Sequence, residues 1–507
     1  MAPFRQAMMQ LHTWAGVILG SLLFVMFWTG TLSVFTDEID RWMMPATRLA
    51  TPAEVPSLDA LAQKALELQE SDLQYIGLWM PDSRNPTAMV RMKSADGTRS
   101  DRQLDVSTMT WLPDPETAAA SYFLYPMHYS LHLPEGYWLA GLCAMAMLVL
   151  LVSGVVVHRT LIADFFTFRP KKRFARSTLD LHNLTSVVAL PFHFMITLSG
   201  LAIFFSLYYP TVQRAVYPGL STREARVALF AESEGRRERE ASGISASLAS
   251  LDDMYERARV YWDGRPLRYV TVNYPNDAAG YVTFARLGGD RVSMRGDRVV
   301  FAASTGEILQ EPKLGAALAV QRFLSGMHQV HFDHWVLRWL YFIAGLLSCV
   351  MIATGYFYWI EIRRKRHREA NLPGVRVVEG MTCGSVAGLI AATLAFLVSN
   401  RLVPAGFELG PLSRLYVEVL VFYLVWVGSF VHAWLRPQRA WVEQLGLIAA
   451  LGFGAAALNW VTTGDHLFAT LTEPNWPVAA IDLLLIASGF AAIRIARRLN
   501  RGLQRAA

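Results

Sequence analysis

Apolar residues gather into eight runs, at about 13–35, 137–158, 183–208, 336–360, 381–400, 414–435, 441–461 and 477–496. Each is long enough to cross roughly 30 Å of hydrocarbon as a helix, so the pattern predicts a polytopic α-helical membrane protein of about eight spans. The first run follows one early charge, Arg5, and continues without a small-residue cleavage site into Thr36-Asp37-Glu38, which predicts a retained helix. Two long segments, about 37–125 and 210–330, are patterned differently. A short polar helix (57–70; 247–262) leads into LQYIGLWMPD (73–82) against LRYVTVNYPN (267–276). TAMVRMK (87–93) then matches GYVTFARL (280–287), and DVSTMTWLPDPE (105–116) matches FAASTGEILQEP (301–312). Period-two alternation bounded by Pro, Asn, Asp and Gly predicts two small α+β units with antiparallel hairpins.

The spans repeat as well. Leu11-His12 opens the first and Thr29-Gly30 closes it; Leu181-His182 opens the third and Ser199-Gly200 closes it, so the histidines and the glycines are each offset by 170. FLYPMHYSLH (123–132) precedes the second span and FLSGMHQVHFDHW (323–335) the fourth, while Ser153-Gly154 and Thr354-Gly355 close them. The core is thus two copies of helix, outer domain, helix. The expected division is a first span within 1–36, outer domain 37–125, second span 126–160, basic loop 161–180, third span 181–209 and outer domain 210–325. A fourth span at 326–361, a basic loop at 362–380, an appended four-helix bundle at 381–498 and a tail at 499–507 complete it.

Composition agrees: 53% of the 507 residues are hydrophobic and only 17% charged, where a soluble protein carries about a quarter. The 47 Lys+Arg against 41 Asp+Glu leave +6, and the basic residues follow topology. They concentrate in FRPKKRFAR (168–176), IRRKRHRE (362–369), LRPQRAW (435–441) and RIARRLNRGLQR (494–505), all on one face. The positive-inside rule makes that face and both termini cytoplasmic, and in a bacterial inner membrane the two long segments periplasmic. These clusters suit membrane lipid and topology, with no nucleic-acid partner expected; they could also dock an acidic donor protein. Cys143, Cys349 and Cys383 all lie in apolar runs, which builds neither a disulfide framework nor a CxxC metal site, and without CxxCH there is no covalently attached haem.

The candidate chemistry is histidine. A lone interfacial imidazole is satisfied equally well by headgroups or carbonyls, but His12 and His182 occupy equivalent inner positions, and His128 and His328 equivalent outer positions. Two layers of paired imidazoles suit two b-type haems, each held by one histidine from either side of the ring. Gly16, Gly30, Gly154, Gly200 and Gly355 would admit a flat macrocycle, and ordinary close helix packing accounts for them too. His132, four residues after His128, and His331 and His334, three and six after His328, are backup ligands if they share a helix face. His193 follows His182 by 11 residues on nearly the same face; it is a backup ligand or the occupant of a kink at Pro191. Zinc or copper on His328, His331 and His334 is the competing site, with poor convergence at that spacing.

On these residues the chain resembles the PepSY-associated transmembrane family, whose members carry LH near the start of helices one and three, histidine motifs before helices two and four, and PepSY-like domains outside. The resemblance covers roughly 1–365. The family includes inner-membrane di-haem ferric-siderophore reductases, which implies His12, His128, His182 and His328 as haem ligands and reduction of a periplasmic ferric siderophore as the activity. The chain departs from the family in its extra histidines and its extension beyond 380.

No GxGxxG fingerprint follows a strand, and no cytoplasmic segment is long enough for a flavin or nicotinamide domain, so electrons must come from a cytoplasmic donor or from quinol. A non-enzymatic regulator or assembly factor using its outer domains to bind a partner is the alternative. A transporter is disfavoured, since both repeats start on the same side and broken inverted helices are not visible.

Overall fold

The computed structural model describes residues 3–54, 56–68, 73–158, 167–170, 172–204, 208, 215, 218–221, 223–225, 227–228, 240–294, 297–312, 316–472 and 475–506. Parts of several expectations lie outside these, among them 69–70 of the first polar helix, 159–160 of the second span, 161–166 and 171 of the inner loop, 205–207 and 209 of the third span, and 229–239 in the second outer segment.

The chain opens with α1 (Pro3–Ser33) and α2 (Thr36–Met43), followed by α3 (Leu58–Leu66) and strands β1 (Leu73–Trp79), β2 (Ala88–Ser94), β3 (Arg99–Asp105) and β4 (Thr110–Trp111). A π-helical turn at Ala120–Leu124 runs into α4 (Tyr125–Ser130) and α5 (Gly136–Val157). Next come α6 (Phe174–Val188), α7 (Leu190–Ile203), α8 (Leu251–Val260), strands β5 (Leu267–Asn273), β6 (Tyr281–Arg286), β7 (Arg298–Ala302) and β8 (Ile308–Gln310), and α9 (Ala316–Gln329). The chain closes with α10 (Trp335–Glu369), α11 (Gly374–Leu402), α12 (Arg414–Leu435), α13 (Ala440–Thr463), α14 (Leu467–Thr472) and α15 (Trp476–Ala506). These form two compact units, one of Met1–Pro45, Pro115–Leu198 and Trp335–Ala507, the other of Ala46–Asp114 and Ser199–His334.

Among the described residues seven helices are long and apolar enough to cross a membrane: α1, α5, α10, α11, α12, α13 and α15. The protein is therefore a multi-pass helical membrane protein, with an eighth span if α6 and α7 count as one. That pair passes the same test together but is bent by 63°. The bend has a local cause, because Pro191 offers no N–H to the carbonyl four residues back and its ring crowds that carbonyl. The helix restarts with the His193 N–H on the Ala189 carbonyl (2.8 Å). Within the appended helices α11 is the most enclosed, with 78% of its apolar stretch buried against 22–39% for the other spans.

The second unit differs from two separate α+β units. Its strands form one antiparallel sheet in the order β4-β3-β2-β1-β5-β6-β7-β8. Each copy alone would leave β1 or β5 as an open edge; pairing the two removes both edges. The register makes the join symmetric: Gly77 opposes Thr271, its own counterpart in the repeat, with Tyr75 opposite Asn273 and Trp79 opposite Tyr269. Alternate residues Ile76, Leu78, Val90, Leu104, Val270, Val272, Val282, Phe284, Val299 and Phe301 face one core, which α3 and α8 cover through Leu58, Leu61, Leu251 and Met254. The polar strand β3, RSDRQLD, has no period-two apolar signal and was not expected; its pairing with β2 builds it.

Candidate functional site

Each of the four repeat histidines is half-buried and packs against one of the four span-closing glycines. His12 lies on α1 against Gly154 of α5, and His182 on α6 against Gly355 of α10. His128 of α4 lies against Gly30 of α1, and His328 of α9 against Gly200 of α7. A Cβ on Gly30 would stand 2.7 Å from the His128 ring, one on Gly200 2.8 Å from His328, and one on Gly154 or Gly355 3.2 Å from its imidazole. These four glycines make room for the imidazoles themselves, whereas Gly16 meets only Leu150, at 3.9 Å.

The carbonyl four residues before the glycine receives the ring of His12, His128 and His182. His12 Nδ1 donates to Leu150 O (3.0 Å), His128 Nδ1 to Met26 O (2.7 Å) and His182 Nδ1 to Met351 O (2.8 Å). A carbonyl only accepts, so Nδ1 carries the hydrogen and Nε2 keeps its lone pair, the tautomer a metal ligand needs. His328 Nδ1 meets the Ser199 hydroxyl at 3.2 Å. The Thr and Ser beside the glycines bond within their own helices, Thr29 to Val25 O (2.7 Å), Ser153 to Leu150 O (3.1 Å) and Thr354 to Val350 O (2.6 Å).

His12 and His182 come together, with ring centres 6.3 Å apart and planes at 80°. A metal–imidazole bond of about 2 Å and about 1.1 Å from that nitrogen to the ring centre set a collinear bis-imidazole pair roughly 6.3 Å apart. The spacing, the committed Nδ1 atoms and Nε2 atoms with no hydrogen-bond partner among the described residues fit a haem iron between them.

The backup histidines separate. His132 is not on a helix face with His128, because α4 ends at Ser130 and Leu131 and His132 take positive φ of 52° and 53°. Both its nitrogens are used, Nδ1 with the Tyr423 hydroxyl (2.9 Å) and Nε2 with Phe123 O (2.8 Å). His331 and His334 lie exposed between α9 and α10, and His331 Nε2 bonds Gln329 Oε1 at 3.0 Å. Among the described residues no three His, Cys, Asp or Glu side chains converge as a metal cluster, these included. His193 is fully buried with neither ring nitrogen bonded, edge-on to Phe27 at 6.3 Å. His432 pairs with Glu443 at 2.8 Å.

The structure adds buried polar groups that the histidine reading missed. Glu418 accepts from Thr117 Oγ1 (2.6 Å) and Asn400 Nδ2 (3.1 Å), and Asp482 accepts from Trp42 Nε1 (2.8 Å) and Asn459 Nδ2 (3.0 Å). Their signal was present as lone carboxylates inside apolar runs.

A family model described as the PepSY-associated TM region matches residues 9–361, both copies of the repeat. The chain belongs to this family. The PepSY-associated match stops short of the appended bundle, which starts at α11. An uncharacterized protein of Pseudomonas aeruginosa is similar, 28% identical over 389 residues that make up 73% of this chain and 93% of that protein.

Proposed function

We propose that the chain is a b-type di-haem electron-transfer protein of the bacterial inner membrane, carrying electrons from the cytoplasmic side to a periplasmic acceptor, with reductive iron release from a ferric siderophore as the activity. The observation that carries this reading is the His12–His182 pair at 6.3 Å. Bound haem would supply one-electron redox chemistry at that level. The chain's own residues do the holding: Leu150 and Met351 carbonyls fix the tautomer and orientation of the two rings, and Gly154 and Gly355 let them seat. The duplication carries the same assignment to His128 and His328 for the outer haem. The sheet unit is read as a pair of fused PepSY-like domains on the periplasmic side, with both termini cytoplasmic.

Donation of one electron to a hard-oxygen ferric chelate leaves softer Fe(II), which those donors hold less tightly. The donor is a cytoplasmic protein or membrane quinol. The test is anaerobic mixing of dithionite-reduced protein with a ferric hydroxamate and a ferrous trap. Reoxidation of the haem spectrum matched by trapped Fe(II) is expected. Stable reduced haem rejects the siderophore assignment, and absence of haem favours the regulator or assembly-factor reading.

A further inference from the structure

The appended helices have no counterpart in the repeat, yet they converge on the segment that carries His128. Phe123, 2% exposed, is inserted among Phe396 of α11 (4.8 Å) and Phe422 and Tyr423 of α12 (4.8 and 6.1 Å). The Tyr423 hydroxyl holds His132, whose other nitrogen reaches back to the Phe123 carbonyl. At the start of the segment, buried Glu418 and Asn400 bind the Thr117 hydroxyl.

This anchoring falls on a strained stretch. Ala119 (φ 51°), Leu131 (φ 52°) and His132 (φ 53°) are non-glycine residues in the left-handed region, and Ala120–Leu124 is a π-helical turn. Such conformations persist where the surroundings over-determine them, typically next to functional groups. In the second copy His328 sits near the end of a helix, α9, with left-handed Val330 (φ 55°) just beyond it. One side of His128 is set by α1, through Met26 O and Gly30. The appended bundle holds the chain before and after it, at Thr117, Phe123 and His132.

We propose that α11 and α12 are a scaffold that positions His128, through Glu418–Thr117 and Tyr423–His132–Phe123, and so tunes the outer haem alone. Tyr423, His132 and Glu418 are positioning residues, and the assignment of His128 as a ligand rests on the proposed function above.

Two conservative variants, Tyr423→Phe and Glu418→Gln, test it in the full chain in detergent, by amide exchange and by redox titration with EPR. Exchange over 117–132 is expected to quicken roughly fivefold, the scale of one lost hydrogen bond, with α1 and α6 unchanged. Haem content should stay at two, with the outer component's potential and g-values shifted and the inner component's unmoved. Unchanged exchange in both variants overturns the scaffold. Faster exchange with both haem signals unmoved overturns its effect on the ligand. If the wild-type chain holds no haem while exchange still quickens, positioning stands and the di-haem reading alone falls.

Discussion

Asp59 and Asp252 each cap the other's helix. Asp252 accepts the Leu58 N–H (2.8 Å) and the Ser57 hydroxyl (2.6 Å) at the start of α3; Asp59 accepts the Leu251 N–H (2.6 Å) and the Ser250 hydroxyl (2.7 Å) at the start of α8. The sequence Ser-Leu-Asp stands at both sites, 57–59 and 250–252, as the repeat requires. The exchange ties the two copies together at a second place besides the β1–β5 pairing. Asp252→Ala is expected to destabilise α3, and Asp59→Ala to destabilise α8, by about 1 kcal/mol each. Amide exchange in the full chain checks this, and protection lost from the variant's own helix instead of the partner helix would contradict it.

Acid should loosen the turn around Asp277. Its carboxylate accepts from the Ser242 N–H (2.9 Å) and hydroxyl (2.7 Å), the Gly243 N–H (2.8 Å) and the Ala279 N–H (2.7 Å). These bonds, that from the Ser242 N–H foremost, hold the carboxyl down at about 2 against an ordinary 3.8. A depressed value means the stabilisation is complete above 3.8 and lost as pH falls through 2. Exchange at 242–244 and 277–279 should quicken over that window in the wild type, and Asp277→Asn should be fast at neutral pH and insensitive to acid.

The glycine–histidine contacts rank four variants. Gly30→Ala and Gly200→Ala place a methyl under 3.0 Å from an imidazole and should displace the outer ligands; Gly154→Ala and Gly355→Ala, at 3.2 Å, require only a few tenths of an ångström. Haem content should fall most in the first pair. Equal effects in all four would contradict the ranking.

The sequence made the repeat legible because histidines, glycines and Ser or Thr recur at constant offsets. It did not show that each glycine serves a histidine, since His128 and Gly30 are 98 positions apart and only packing joins them. The break after His128 was only partly legible: Pro134-Glu135-Gly136 precede the apolar run at 137–158, but the left-handed Leu131 and His132 that end α4 carry no glycine to announce them. The joining of the outer segments into one sheet was hidden for a similar reason. Alternation marks β1 and β5 as strands but does not name their partners.

Orientation is open to direct measurement. Reporter fusions after Ala118 and Ser304 should be active only outside the cytoplasm, and fusions after Arg173 and Arg366 only inside. A reversed result at any two would overturn the assignment of sides.

The central claim is that His12 and His182 hold a haem between them. A pyridine haemochrome assay with a reduced-minus-oxidised spectrum, on the wild type, His182→Ala and His193→Leu expressed with ample haem, tests it most directly. The account predicts two b-type haems per chain in the wild type, one in His182→Ala with the other spectral component intact, and two in His193→Leu. Trace haem in the wild type, or two haems retained without His182, would contradict it.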